Sequence, residues 1–143
     1  MKAVWVQVMF CMIAICAQAQ RQGIEGRVEW LSGNQMPGPE RKVTPAKGVK
    51  REIWIYEPVS TQQADSDGVF YTNIRARLVR KVKSKSNGNF RVNLPPGEYS
   101  LFVKETRGLF ANQFDGQGRI NCVLVKSAQF SRISIIVDYK AAY

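Results

Sequence analysis

A chain of 143 residues has room for about one domain, so any activity rests on one hydrophobic core or its surface, and a second catalytic domain is excluded. Histidine is absent, which removes Ser-His-Asp triads, Cys-His pairs and His-based zinc sites. With 21 Lys+Arg against 11 Asp+Glu the formal charge is +10, a balance suited to anionic partners or to keeping exposed strands soluble.

The first residues read as an export signal. Lys2 supplies positive charge, residues 3–16 form an almost unbroken apolar run, and Ala17-Gln18-Ala19 is an A-x-A cleavage site. Residues 1–19 are therefore expected to leave, with residues 20–143 as a single mature domain, periplasmic or secreted and out of reach of nucleic acid. The run falls short of the ~20 apolar residues of a spanning helix, so no transmembrane segment is expected after cleavage. Cys16 offers a lipid-anchor alternative, set back by Ile15 where a small residue belongs. Once Cys11 and Cys16 are gone, Cys122 is the sole thiol, and its place in an alternating apolar segment predicts burial and packing.

Beyond the signal, apolar residues recur with period two and turn formers interrupt them, the pattern of an all-β sandwich. Residues 24–31 set Ile24, Gly26, Val28 and Trp30 against Glu25, Arg27 and Glu29, a half-buried strand. Residues 32–48, with Gly33, Pro37, Gly38, Pro39 and Pro45, predict an irregular loop. Residues 51–56 oppose Ile53 and Ile55 to Glu52, Trp54 and Tyr56, and residues 57–71 read as an inserted surface loop.

Residues 78–83 form a short strand with basic outer positions. Asn87-Gly88 predicts a type I′ turn that pairs them as a hairpin with residues 90–94, where Phe90, Val92 and Leu94 share a face. After Pro95-Pro96-Gly97, residues 98–104 send Tyr99, Leu101 and Val103 inward. The last two strands align Ile120, Cys122 and Leu124, then Ile133, Ile135, Val137 and Tyr139. The sum is seven strands in a two-sheet antiparallel sandwich that needs no metal, disulfide or cofactor to hold it.

The block at residues 84–104, SKSNGNFRVNLPPGEYSLFVK, resembles the signature of the carboxypeptidase regulatory-like domains, a transthyretin-like group of seven-stranded sandwiches. Residues 24–30 and 120–139 agree more weakly. Residues 57–71 and 108–119 look like features of a short exported subgroup from Bacteroidetes-type bacteria. The resemblance implies a non-catalytic module: similar domains accompany metallocarboxypeptidases, extend outer-membrane receptors, or fall within a carbohydrate-binding-like fold class. It transfers no catalytic residue, so function has to be argued from the site.

Three groups of residues are candidate sites. Phe110, Asn112, Phe114, Asp115 and Arg119 combine flat apolar rings with planar polar groups, the mixture a sugar site uses; the alternative is that the two rings cap the core. Trp54 and Tyr56 share a strand face, either as an exposed platform or covered by residues 57–71. Arg75, Arg77, Arg80, Lys81 and Lys83, with Lys85, concentrate positive charge as an anion-binding stripe or a solvated edge. Asp65-Ser66-Asp67-Gly68 opens like a calcium loop but meets Ala76 where an EF-hand needs a carboxylate, so a plain Asx-turn is expected, a weak calcium site of another kind is the alternative, and no metal ligand is assigned. The eleven carboxylates are scattered, with no spacing that singles out an acid/base pair. The expectation is a non-enzymatic binding or scaffold module engaging a protein or an anionic envelope component, the alternative being a glycan-binding domain.

Overall fold

The computed structural model describes residues 21–143. The expected signal, residues 1–19 with Cys11 and Cys16, lies outside the described residues. Alternation of Ile24 and Val28 with Glu25, Arg27 and Glu29 produces a long first strand, β1 (Gly23–Asn34), followed by β2 (Lys47–Gly48) and β3 (Glu52–Tyr56). Then come β4 (Asp65–Asp67), β5 (Phe70–Thr72), β6 (Leu78–Lys83), β7 (Asn89–Asn93) and β8 (Gly97–Glu105). The chain ends in β9 (Gly108–Phe110), β10 (Cys122–Val125) and β11 (Phe130–Ala142), and the described residues hold no α-helix, only a 3-10 turn at Thr61–Gln63. None of their helices is long and apolar enough to cross a membrane.

The strands form two sheets, mostly antiparallel, as a sandwich requires. The smaller centres on β1, with β11 along one edge and β7 and β2 sharing the other. The larger runs β4-β5-β9-β8-β3-β6, with β10 also on β8. Ile24, Val28, Ile53, Ile55, Leu101 and Val137 fill the space between them and are fully buried or nearly so.

Several expectations change. The strands among the described residues number eleven rather than seven, and β1 and β11 run parallel, with Ile24 beside Ser131 and Val28 beside Ile135. Residues 57–71 are not a surface loop: β4 and β5 form a hairpin that joins the larger sheet through β9, with Phe70 and Tyr71 buried. Flanking residues lie across the sheet's outer face, so Tyr56, Val59, Tyr71, Phe102, Leu109 and Ile120 make a second core. Val59 anchors this covering layer, donating its N–H to the buried Ser100 hydroxyl at 2.9 Å and accepting from Ile120 N–H at 2.8 Å.

The hairpin expected from β6 to β7 is instead a corner between sheets, because β6 pairs with β3 and β7 with β1. The turn itself forms locally: Gly88 N–H reaches the Lys85 carbonyl and Lys85 N–H the Asn89 carbonyl. Only Gly88 of the Asn87-Gly88 pair has positive φ, at 89°, so this is a turn closed by a left-handed glycine rather than type I′. Pro95-Pro96-Gly97 makes a second corner, from β7 to β8. Finally, Asn121 adopts φ 38° and shifts the alternation of β10: Val125 is buried, Leu124 is half exposed, and Cys122 is partly exposed rather than buried.

Candidate anion-binding surface

The sugar-type group predicted near residue 110 is divided by the fold. Phe110 is fully buried beside Phe70 and Tyr139, whereas Phe114 is 56% exposed. Asn112 donates to Asp138 Oδ1 at 2.9 Å and to the Ile136 carbonyl. Asp115 accepts from the backbone of Gln117 and Arg119 and from Arg119 Nε at 2.6 Å, while Arg119 also pairs with Glu98. The N–H of Arg119, with its guanidinium, holds the Asp115 carboxyl below the usual carboxylate range. Glu98 and then Asp115 raise Arg119 further above its ordinary value.

The basic stripe also splits. Arg75 is bonded to Asp65, and Arg77 to Glu57 at 3.0 Å. Strand register sets Arg80 opposite Ile55, and its guanidinium donates to the Asn93 carbonyl. Lys81 and Lys83 lie across from Trp54 and Glu52 on the outer face of the larger sheet. There the Lys81 ammonium is 3.8 Å and the Lys104 ammonium 5.2 Å from the Trp54 ring centre, and the indole N–H donates to Glu52 Oε1 at 2.6 Å. Tyr56, its ring 6.5 Å from that of Trp54, belongs to the second core beneath the covering layer. The two predicted groups therefore meet at one place, between Trp54 and Lys81.

A larger concentration of cations lies on the other side of the sandwich. The outward residues of β7, β1 and β11 form rows across the smaller sheet: Arg91–Glu25–Arg132, then Asn89–Arg27–Ser134. All of these but Ser134 line a shallow groove of about 580 Å³, to which Arg27, Lys85, Arg91 and Arg132 bring four cations and Glu25 the one carboxylate. A neighbouring recess of about 350 Å³ adds Arg21 and Phe130, over which the Arg91 guanidinium stacks at 3.8 Å.

Glu25 organises this face. Its oxygens meet Arg132 Nε at 2.8 Å and Arg91 Nε at 3.9 Å, with side chains of 86% and 63% exposure. Both approaches use Nε, leaving the terminal nitrogens, which form a fork for phosphate, sulfate or carboxylate, outside these contacts. Arg27 is held by the Asn87 carbonyl and Glu29. Of these residues only Lys85 belonged to a predicted group. Arg27 and Arg91 alternate with core residues along their strands, but nothing in the spacing of residues 27, 91 and 132 says that their strands are neighbours.

Among the described residues the ion pairs are all made by arginines, and they engage eight of the eleven carboxylates: Glu25, Glu29, Glu57, Asp65, Asp67, Glu98, Glu105 and Asp115. Asp65 and Asp67, the start of the apparent calcium loop, are thus bonded to Arg75 and Arg107. No family model, curated protein or solved structure matches this chain.

Proposed function

We propose that the chain is an exported, non-catalytic binding module of the bacterial envelope, and that the outer face of β7, β1 and β11 takes an anionic envelope component. The observation that carries this reading is the groove lined by four cations and one carboxylate, with Arg91 and Arg132 approached through Nε by Glu25. The commitment of most carboxylates to arginine, together with the absence of histidine, supports binding over acid/base chemistry. The export motif of residues 1–19 and the carboxypeptidase regulatory-like resemblance of residues 84–104 belong to the same proposal. A glycan held by loop aromatics has less to build on. Phe110 is interior, and Phe114 is the one exposed group of that set.

Heparin serves as a polysulfated probe. Calorimetry should give an affinity that falls steeply between roughly 50 and 300 mM salt, as exposed charges are screened. The double substitution R91S/R132S should weaken it by about tenfold or more at the lower salt while leaving the thermal midpoint in place. Unchanged binding by that variant, or affinity indifferent to salt, overturns the proposal.

A further inference from the structure

We propose that Trp54, Lys81, Lys104 and Glu52 form a second site, on the opposite side of the sandwich, for a uronic acid unit of an acidic glycan. It stands on its own observations and does not depend on the arginine groove.

The first observation is what the lysines lack. Lys81 and Lys104 make no ion pair among the described residues; their ammoniums converge instead on one indole, at 3.8 and 5.2 Å from its centre. Two like charges over one ring repel each other, and an anion beside them relieves that repulsion. The second is that the indole is fixed. Its N–H is bonded to Glu52, and Ile74 and Ala76 help pack the second core against which it rests. A rigid, half-buried Trp presents a flat surface at little entropic cost.

The third is the combination. Beside the indole and the ammoniums stands the Glu52 carboxylate, of which Oε1 serves Trp54, so that its second oxygen can accept from a ligand. A flat apolar face, paired cations and an acceptor are the complement of a pyranose bearing a carboxylate: C–H face, anion and hydroxyl donor. Inorganic phosphate lacks the apolar face and a neutral sugar lacks the charge. On binding, the Lys81 ammonium follows the carboxylate off the ring as the pyranose takes its place. Lys83, across from Glu52 in the strand register, adds charge at the rim.

The test is a titration of the protein with an oligogalacturonate, followed by intrinsic fluorescence and by the Trp54 indole N–H resonance, assigned with W54F. A saturable change is expected, with neutral galacto-oligosaccharide and inorganic phosphate giving none at the same concentrations. K81S/K104S should raise the apparent Kd by about tenfold or more, and R91S/R132S should leave it unchanged. Equal response to the neutral oligomer or to phosphate overturns the proposal. So does a response abolished by R91S/R132S, which would assign the glycan to the arginine groove. The indole resonance is read on the unaltered protein, so a still Trp54 signal under saturating oligogalacturonate also overturns it, however the variants fold.

Discussion

The smaller sheet keeps one face in water, where Arg27, Arg91 and Arg132 alternate with the buried Val28, Val92 and Ile135. The larger sheet buries both faces: along β8, Tyr99, Leu101 and Val103 enter the central core while Ser100 and Phe102 enter the second one. The difference decides where binding chemistry can sit. Charge on the smaller sheet is spread over an open surface, as suits an extended polyanion. On the larger sheet the covering layer leaves the strip around Trp54 and Lys81 open, the place proposed for a small unit.

The sharpest way to break this comparison is to empty the second core. Phe102 is fully buried, with edge-on contacts to Tyr56 at 5.7 Å and Tyr71 at 5.6 Å. F102A should cost about 3–5 kcal/mol in urea unfolding, whereas R132S on the open face of the smaller sheet should stay within about 0.5 kcal/mol of wild type. If F102A were as mild as R132S, residues 57–77 would be a loosely attached flap and not a packed layer.

How much of this was legible follows the same division. Where one face is wet, alternation reads correctly: Ile24 and Val28, Ile53 and Ile55, and Phe90, Val92 and Leu94 all point into the core. Where both faces are dry, Phe102 carries no periodic signal to distinguish it from an outward residue. Corners are ambiguous for another reason. Asn87-Gly88 and Pro95-Pro96-Gly97 encode a local reversal, but whether the next strand pairs with the previous one or crosses to the other sheet depends on distant partners. Gly88 illustrates this, since a Cβ there would lie 2.2 Å from the Val28 carbonyl, 60 residues away in sequence. The arginine groove was illegible because its rows join β1, β7 and β11 through long-range pairing. The meeting of Trp54 with Lys81 needed the β3–β6 register.

A smaller effect comes from the polar junction between the sheets. Glu105 on β8, its side chain only 6% exposed, accepts from Arg51 Nε at 2.7 Å and from the Tyr139 hydroxyl of β11 at 2.9 Å. Burial, and then this bond to Glu105, push the Tyr139 phenol up, so it stays a donor at neutral pH. E105A strands both partners and should cost about 2 kcal/mol, tempered because Arg51 is a third exposed and can turn to water. E105Q, which retains an acceptor for Tyr139, should recover part of that loss; if it recovers none, the Arg51 ion pair and not the phenol bond carries the stabilisation.

The mildest effect concerns acid and the covering layer alone. Asp115 accepts from the Arg119 and Gln117 backbone and pairs with Arg119, which is tied in turn to Glu98 on β8, so one carboxylate fastens residues 113–121 to the larger sheet. Its folded pKa lies below the unfolded value of about 3.9. A depressed carboxyl contributes stability above the unfolded pKa and loses it as pH falls through the folded one, so the contribution fades from just under pH 4 downward. Asp65, lowered by Asn73 and Arg75 at the far side of the same layer, adds in the same window and sense. Unfolding midpoints followed between roughly pH 2 and 5 should fall on acidification, and D115N should flatten part of that slope. Amide exchange should locate the early loosening at residues 113–121, ahead of β1 and β11; loosening that begins in β1 and β11 would mean that acid acts first on the smaller sheet.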